Sequence, residues 1–149
     1  LRKGCRMAFV LKNPPEFTME VNQWTRETDA DGAEMAKEIE KLLNNDFYLK
    51  TELERIDHVA LVVLPASGWT GSTAPFTQTI SVEGAKENQD ACLVSALADG
   101  ASLEAQKAYT KAFSIISSGT GVLGDGVATF KVYKKPAVDI TIGLRGVRG

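Results

Sequence analysis

The strongest pattern in the sequence is an apolar repeat with heptad spacing in residues 35–56. Its positions follow one another in alternating steps of four and three residues, which places them on one narrow stripe of an α-helix. The stripe consists of Met35, Ile39, Leu42, Asp46, Leu49, Leu53 and Ile56. A stripe this narrow is typical of a helix that packs against other helices, so the pattern predicts a coiled-coil stem.

The predicted helix covers residues 31–56 and begins at Asp31, with Glu34 completing a capping box. Asp46 is a polar residue in the seam, where it lowers stability but can fix register and strand number. Leu43 and Phe47 widen the apolar face, which favours three helices, or packing within the chain, over a two-stranded coil. The alternative is that the helix packs against the β-rich part of its own chain, since helical periodicity alone does not distinguish the two arrangements.

The chain divides into an extended arm (residues 1–27), the stem (28–57) and an α+β domain (58–149). Pro14 and Pro15 keep the arm extended. Its apolar residues indicate that it docks, either on its own stem or on a larger assembly. Residues 1–6 precede the first methionine, Met7, and we hypothesise that they are untranslated leader.

The C-terminal part changes from helical periodicity to strand alternation after Ile56. Strands are predicted at residues 58–64, 76–82, 91–97, 127–133 and 138–144, with a helix at 103–116. The last two strands are predicted to form a hairpin around residues 134–137. The predicted fold is therefore α+β: an arm, a short trimeric coiled-coil helix and a compact β-rich knob with one helix.

Composition excludes several function classes. The net charge is −2 with both signs interspersed, so the chain offers no basic stripe for nucleic acid or an anionic membrane. The longest apolar run, residues 59–64, is far below the roughly 20 residues that cross a bilayer. Cys5 and Cys92 do not form a disulfide framework, and we interpret Cys92 as a small core residue.

Catalytic equipment is not recognisable in the sequence, and we predict a protein that is not an enzyme and needs no cofactor or metal. His58 is the sole histidine, and no G-x-S-x-G elbow occurs. Acidic side chains of the stem, Glu38 among them, are interpreted as solvent-facing. Gly119, Gly121 and Gly124 match G-x-G-x-x-G, but the pattern follows a helix and precedes a strand, so we predict a flexible connection rather than a nucleotide site.

Trp69 lies in a loop rich in Gly, Ser and Thr, residues 66–75. An exposed indole there could contact a sugar or a protein. The alternative is that Trp69 folds back and covers one end of a small sheet, because small domains need aromatic residues in their cores.

Four segments carry a resemblance to a known class of proteins. These are residues 63–71 (VLPASGWTG), 74–84 (APFTQTISVEG) and 126–136 (GVATFKVYKKP), together with the stem phrase 42–50 (LLNNDFYLK). The first three resemble a module at the C-termini of bacteriophage tail and head fibre proteins and other minor virion proteins, and the stem phrase resembles the short helical lead-ins of phage fibres. The resemblance implies a non-enzymatic virion component, usually a trimer, with its N-terminus on the particle and a knob pointing outward.

The resulting expectation is a short homotrimeric phage fibre, assembled in the host cytoplasm and located in the virion. The arm would dock on capsid or tail proteins through Phe9, Leu11, Pro14, Pro15 and Phe17. The knob would attach to a host-surface glycan or protein, with Trp69 as a contact. The alternative is a capsid decoration or head fibre protein with a stabilising role; the chain is very short for a fibre and has no long shaft.

Overall fold

The computed structural model describes residues 9–25, 27 and 31–147. The chain is mixed α and β, with two helices and two small antiparallel sheets in the described part, as the α+β prediction required. It divides into two compact units, Leu1–Leu53 and Glu54–Gly149. The proposed leader and Cys5 lie outside the described residues.

Helix α1 covers Gly32–Asp57, close to the predicted 31–56. The Asp31 carboxylate accepts a hydrogen bond from the Ala33 amide at 2.8 Å and so caps the first turn. Glu34 contacts Lys37 in the next turn, where the predicted capping box would have turned it back to the Asp31 amide. Neither α1 nor the second helix, within the residues described, is long and apolar enough to span a bilayer.

The first sheet of the C-terminal unit has the strand order β1-β6-β3, formed by β1 (Val59–Leu64), β6 (Ile140–Arg145) and β3 (Cys92–Ser95). All pairs are antiparallel, and the register places Leu64 opposite Ile140. Alternation along β1 buries Val62 and Leu64, whereas Leu61 and Val63 on the other face stay 67% and 57% exposed.

Cys92 is exposed, which makes its interpretation as a core residue wrong. The register pairs Cys92 with the exposed Arg145, whereas the next residue, Leu93, pairs with the buried Leu144. Strand alternation therefore turns Cys92 to the outer face.

The second sheet has the order β2-β5-β4, formed by β2 (Phe76–Ser81), β5 (Val127–Val132) and β4 (Thr120–Gly124). Asp125 and Gly126 connect β4 to β5, and Gly126 adopts a positive φ of 73°. This is the Asp-Gly signal of a two-residue hairpin turn. The hairpin predicted around residues 134–137 is wrong, because β5 and β6 belong to different sheets.

The glycine-rich segment is strand β4, so its prediction as a flexible connection is wrong. A Cβ at Gly119 would lie 2.2 Å from the Lys131 carbonyl oxygen, and one at Gly121 would lie 3.3 Å from the Phe130 ring. These glycines allow close packing against β5 rather than chain flexibility.

Helix α2 (Leu103–Ser117) begins at the predicted Ser102, whose hydroxyl accepts a hydrogen bond from the Ala105 amide at 3.2 Å. Ala112 and Ile116 enter the core, and the Tyr109 hydroxyl bonds to the backbone of Ala96 and Thr141. The buried apolar residues of the unit are Val62, Leu64, Trp69, Val82, Ala85, Ala112, Ile116, Leu123, Ala128, Phe130, Val132, Ile140, Ile142, Leu144 and Val147.

His58 lies at the start of the C-terminal unit, next to the end of α1. Its Nδ1 is 2.9 Å from the Val147 carbonyl oxygen, and Arg55 donates a hydrogen bond to the Gly146 carbonyl at 2.6 Å. The sole histidine is thus engaged with backbone near the end of the described chain.

Candidate oligomerisation surface

The heptad stripe of α1 is exposed along its whole length in the single chain. Relative exposure is 39% for Met35, 51% for Leu42 and 61% for Leu53. Ile39, Leu49 and Ile56 lie between these limits, and Asp46 is also exposed. Isolated exposed apolar residues are ordinary, but a continuous row of them on one helix face indicates a protein–protein contact surface.

This arrangement favours self-association because the stripe has coiled-coil spacing, which a copy of the same helix matches. Fully burying a leucine contributes about 1.5–3 kcal/mol. The stripe of each chain offers three leucines, two isoleucines and one methionine. Together these side chains can supply a substantial association free energy.

The arm docks on α1 within its own unit, through amide side chains of the helix. Asn45 accepts a hydrogen bond from the Thr18 amide at 2.7 Å and donates one to the Thr18 carbonyl at 2.8 Å. Asn44 accepts from the Lys12 amide at 2.8 Å. The helix side chains thus satisfy arm backbone groups that would otherwise need water or a strand partner.

Glu38 provides the third docking point, and its interpretation as solvent-facing is wrong: its residue is only 5% exposed. The carboxylate accepts hydrogen bonds from the backbone amide and the side-chain amide of Asn22, each at 2.9 Å. Lys41 pairs with it at 2.9 Å. The hydrogen bond from Lys41, followed by that from the Asn22 amide, lowers the pKa of Glu38 below its usual 4.5.

This lowered pKa predicts that acid releases the arm at Asn22. A carboxylate with a depressed pKa stabilises the docked state above its usual value of 4.5, and that contribution is lost as the pH falls through the docked-state pKa. The backbone ¹⁵N chemical shift of Asn22 is followed by NMR as the pH is lowered from neutral. It should move to the value of the undocked arm once the pH is below 4.5.

The Glu38→Gln variant is the control for this titration. It lacks the ionisable group, so we expect a flat Asn22 profile and a looser arm already at neutral pH. An Asn22 resonance in the unmodified protein that does not move through the same acid range would contradict the assignment of Glu38 as the arm's acid-sensitive contact.

The apolar side chains of the arm remain exposed although its backbone is docked. Phe9, Leu11 and Phe17 are between 41% and 49% exposed, Pro14 is exposed, and Pro15 is half-buried. Phe17 also packs against Tyr48 of α1, with ring centroids 5.7 Å apart. Docking of these residues on the virus particle stays a prediction; the contact seen is with the chain's own helix.

Trp69 is buried, at 4% exposure, and does not form the exposed platform expected for a receptor contact. Thr70 and Thr77 pair through their backbones on either side of the loop and hold it against β2. Lys135 donates a hydrogen bond to the Trp69 carbonyl at 3.1 Å. The ring therefore belongs to the core, in agreement with the alternative in which it closes the end of a sheet.

A cleft of about 370 Å³ lies between α2 and the segment that leads into β6. Apolar residues, including Ile115 and Val138, line it, and Lys107, Lys111 and Lys134 surround it. Across the described ranges, no carboxylate forms an ion pair with these lysines. A cleft of this kind suits a ligand with an anionic group and an apolar or C–H-rich body.

Metal chemistry has no candidate centre here: in residues 9–25, 27 and 31–147 no three His, Cys, Asp or Glu side chains are grouped to hold an ion. Comparison of the chain with protein-family profiles, curated proteins and solved structures finds no match. The functional argument therefore depends on the chain's own sequence and geometry.

Proposed function

We propose that this chain is a non-enzymatic structural subunit of a bacteriophage particle, a short trimeric fibre that presents its C-terminal unit for attachment to the host surface. The main support for the proposal is the exposed heptad stripe of α1, because its spacing allows parallel copies of the same helix to pack against it. The phage assignment rests on the resemblance of residues 63–71, 74–84 and 126–136 to fibre modules.

Attachment in this proposal uses the lysine-rimmed cleft beside α2. Its charge suits acidic sugars or phosphate groups of a host-surface polymer. Each contact of this kind is weak, and three copies on one fibre raise the effective affinity.

The charge-reversed variant Lys107→Glu/Lys111→Glu tests the cleft. We expect particles carrying it to adsorb to host cells at least about tenfold more slowly, since long-range attraction raises association rates by 10-fold or more. The matched control Lys86→Glu/Lys131→Glu changes the net charge equally, at exposed positions outside the cleft. Equal adsorption by all three particles would contradict a role for the cleft.

A second candidate function is a capsid decoration or head fibre protein that stabilises the particle. The burial of Trp69 favours it, because the aromatic residue proposed for receptor contact is part of the core. Deleting the gene separates the two functions. A fibre for attachment predicts intact particles that adsorb poorly, whereas a decoration protein predicts normal adsorption by particles that lose their DNA on heating.

A further inference from the structure

The arm segment from Thr18 to Asn22 borders the proposed coiled-coil seam, whereas Lys12 and Phe17 contact Asn44 and Tyr48 on the outer face of α1. Glu38 and Asn45, which hold the arm, each directly precede a seam residue, Ile39 and Asp46. At about 100° per residue, these two positions lie on one flank of the stripe. In heptad terms they are g positions, which flank the core and face a neighbouring helix in a parallel bundle.

The opposite flank of the same helix carries the apolar extension noted in the sequence. Leu43 directly follows the seam residue Leu42 and therefore occupies an e position. It remains 37% exposed, because the arm of its own chain is held on the other flank. In a parallel bundle, the e flank of one helix faces the g flank of the next.

We propose that the arm of each chain is an intersubunit clasp, which lies in the groove between its own helix and the Leu43 flank of a second copy. This inference rests on the trimer of the proposed function. The arm backbone is bound by the polar side chains of its own helix, so its apolar side chains are available to the neighbour. Met19 is 90% exposed and Val21 is 44% exposed.

A second copy fits this surface for two reasons. The arm adjoins the seam, so a helix that packs on the seam must also approach the arm. The neighbour offers the exposed Leu43 at the level of the arm segment 18–22, and the segment's own Met19 and Val21 are apolar and exposed. The clasp thus extends the narrow stripe into a wider contact, which a stem of about three heptads needs to be stable.

Disulfide trapping tests the clasp in the full chain. Cys5→Ser and Cys92→Ser first remove the natural thiols, and Met19→Cys is then combined with Leu43→Cys. Because the arm at position 19 and the side chain at position 43 lie on opposite flanks of α1, we expect the disulfide to join different chains. Mild oxidation should convert most chains into linked dimers and trimers on non-reducing gels.

Matched controls show whether the trapped geometry is specific. Mixing differently tagged Met19→Cys and Leu43→Cys single variants should give a linked heterodimer. The pair Met19→Cys with Lys37→Cys places the second thiol on the outer face of the helix, and we expect no interchain product. Light scattering of each variant before oxidation reports the oligomeric state independently.

The outcomes separate the clasp from the proposed function. A trimer that forms no interchain 19–43 disulfide overturns the clasp, leaves the trimer in place, and points to the virus particle as the occupant of the arm's apolar side. A single-copy species overturns both.

Discussion

Replacing Leu42 and Leu49 together by aspartate is expected to convert the proposed trimer into single chains while the C-terminal unit stays folded. Both leucines lie at the centre of the stripe, are half-exposed in the single chain and are not part of its buried core. Because both leucines are already about half-buried in the single chain, association gains about half of the 1.5–3 kcal/mol that full burial of each would contribute, so the loss over six leucines is about 4.5–9 kcal/mol. The association constant should fall by about three to six orders of magnitude.

Sedimentation velocity measures this change directly, and fluorescence of the buried Trp69, recorded in a Trp24→Phe background that removes the other tryptophan, reports that the C-terminal unit remains intact. The control is Leu103→Asp, which introduces one aspartate at an exposed leucine of α2, away from the stripe. We expect the control to remain trimeric. A Leu42→Asp/Leu49→Asp protein with the mass of the unmodified one would show that the stripe is not the association surface.

Leu64→Ala is expected to destabilise the C-terminal unit by about 2–5 kcal/mol, whereas Leu61→Ala changes its stability by less than about 0.5 kcal/mol. The two residues are on the same strand and are chemically identical, but Leu64 is fully buried and Leu61 is 67% exposed. Leu64 also pairs with Ile140 of the central strand β6, so a cavity there affects two strands.

Urea unfolding monitored through Trp69 fluorescence in the Trp24→Phe background tests this pair, with the midpoint compared at equal protein concentration. A similar loss of stability in both variants would mean that the outer face of β1 is as buried in solution as the inner face. That result would indicate that Leu61 is covered by a packed interface in solution.

Strand alternation predicted most of the fold because each sheet has one buried face. Residues 58–64, 76–82 and 91–97 became β1, β2 and β3 with small changes at their ends. Serine capping likewise predicted the start of α2. Both signals depend only on residues that are close in sequence. Strand alternation is reliable here because one face of each strand must be apolar to pack in the core.

Strand partners were harder to predict because alternation does not identify a neighbour. The residues of β5 and β6 alternate well and are close in sequence, yet they pair in different sheets. The Asp125–Gly126 turn was the signal that could have revealed the β4–β5 hairpin. It was obscured because the glycines of β4 were interpreted as flexible rather than as sites of close packing.

The candidate surface was partly visible in the sequence. Heptad spacing identified the stripe, and its residues are exposed in the single chain. The role of Glu38, Asn44 and Asn45 was missed, because polar residues on a helix are ordinarily solvated and their partners here are backbone groups of the arm. Backbone partners leave no trace in sequence composition.

The molar mass of the purified chain in solution tests the central claim most directly. Multi-angle light scattering at micromolar concentration should give three times the 16.1 kDa of one chain, stable on dilution. A species of 16.1 kDa across the same concentrations would contradict the account, because the stripe of α1 would then remain exposed without a partner.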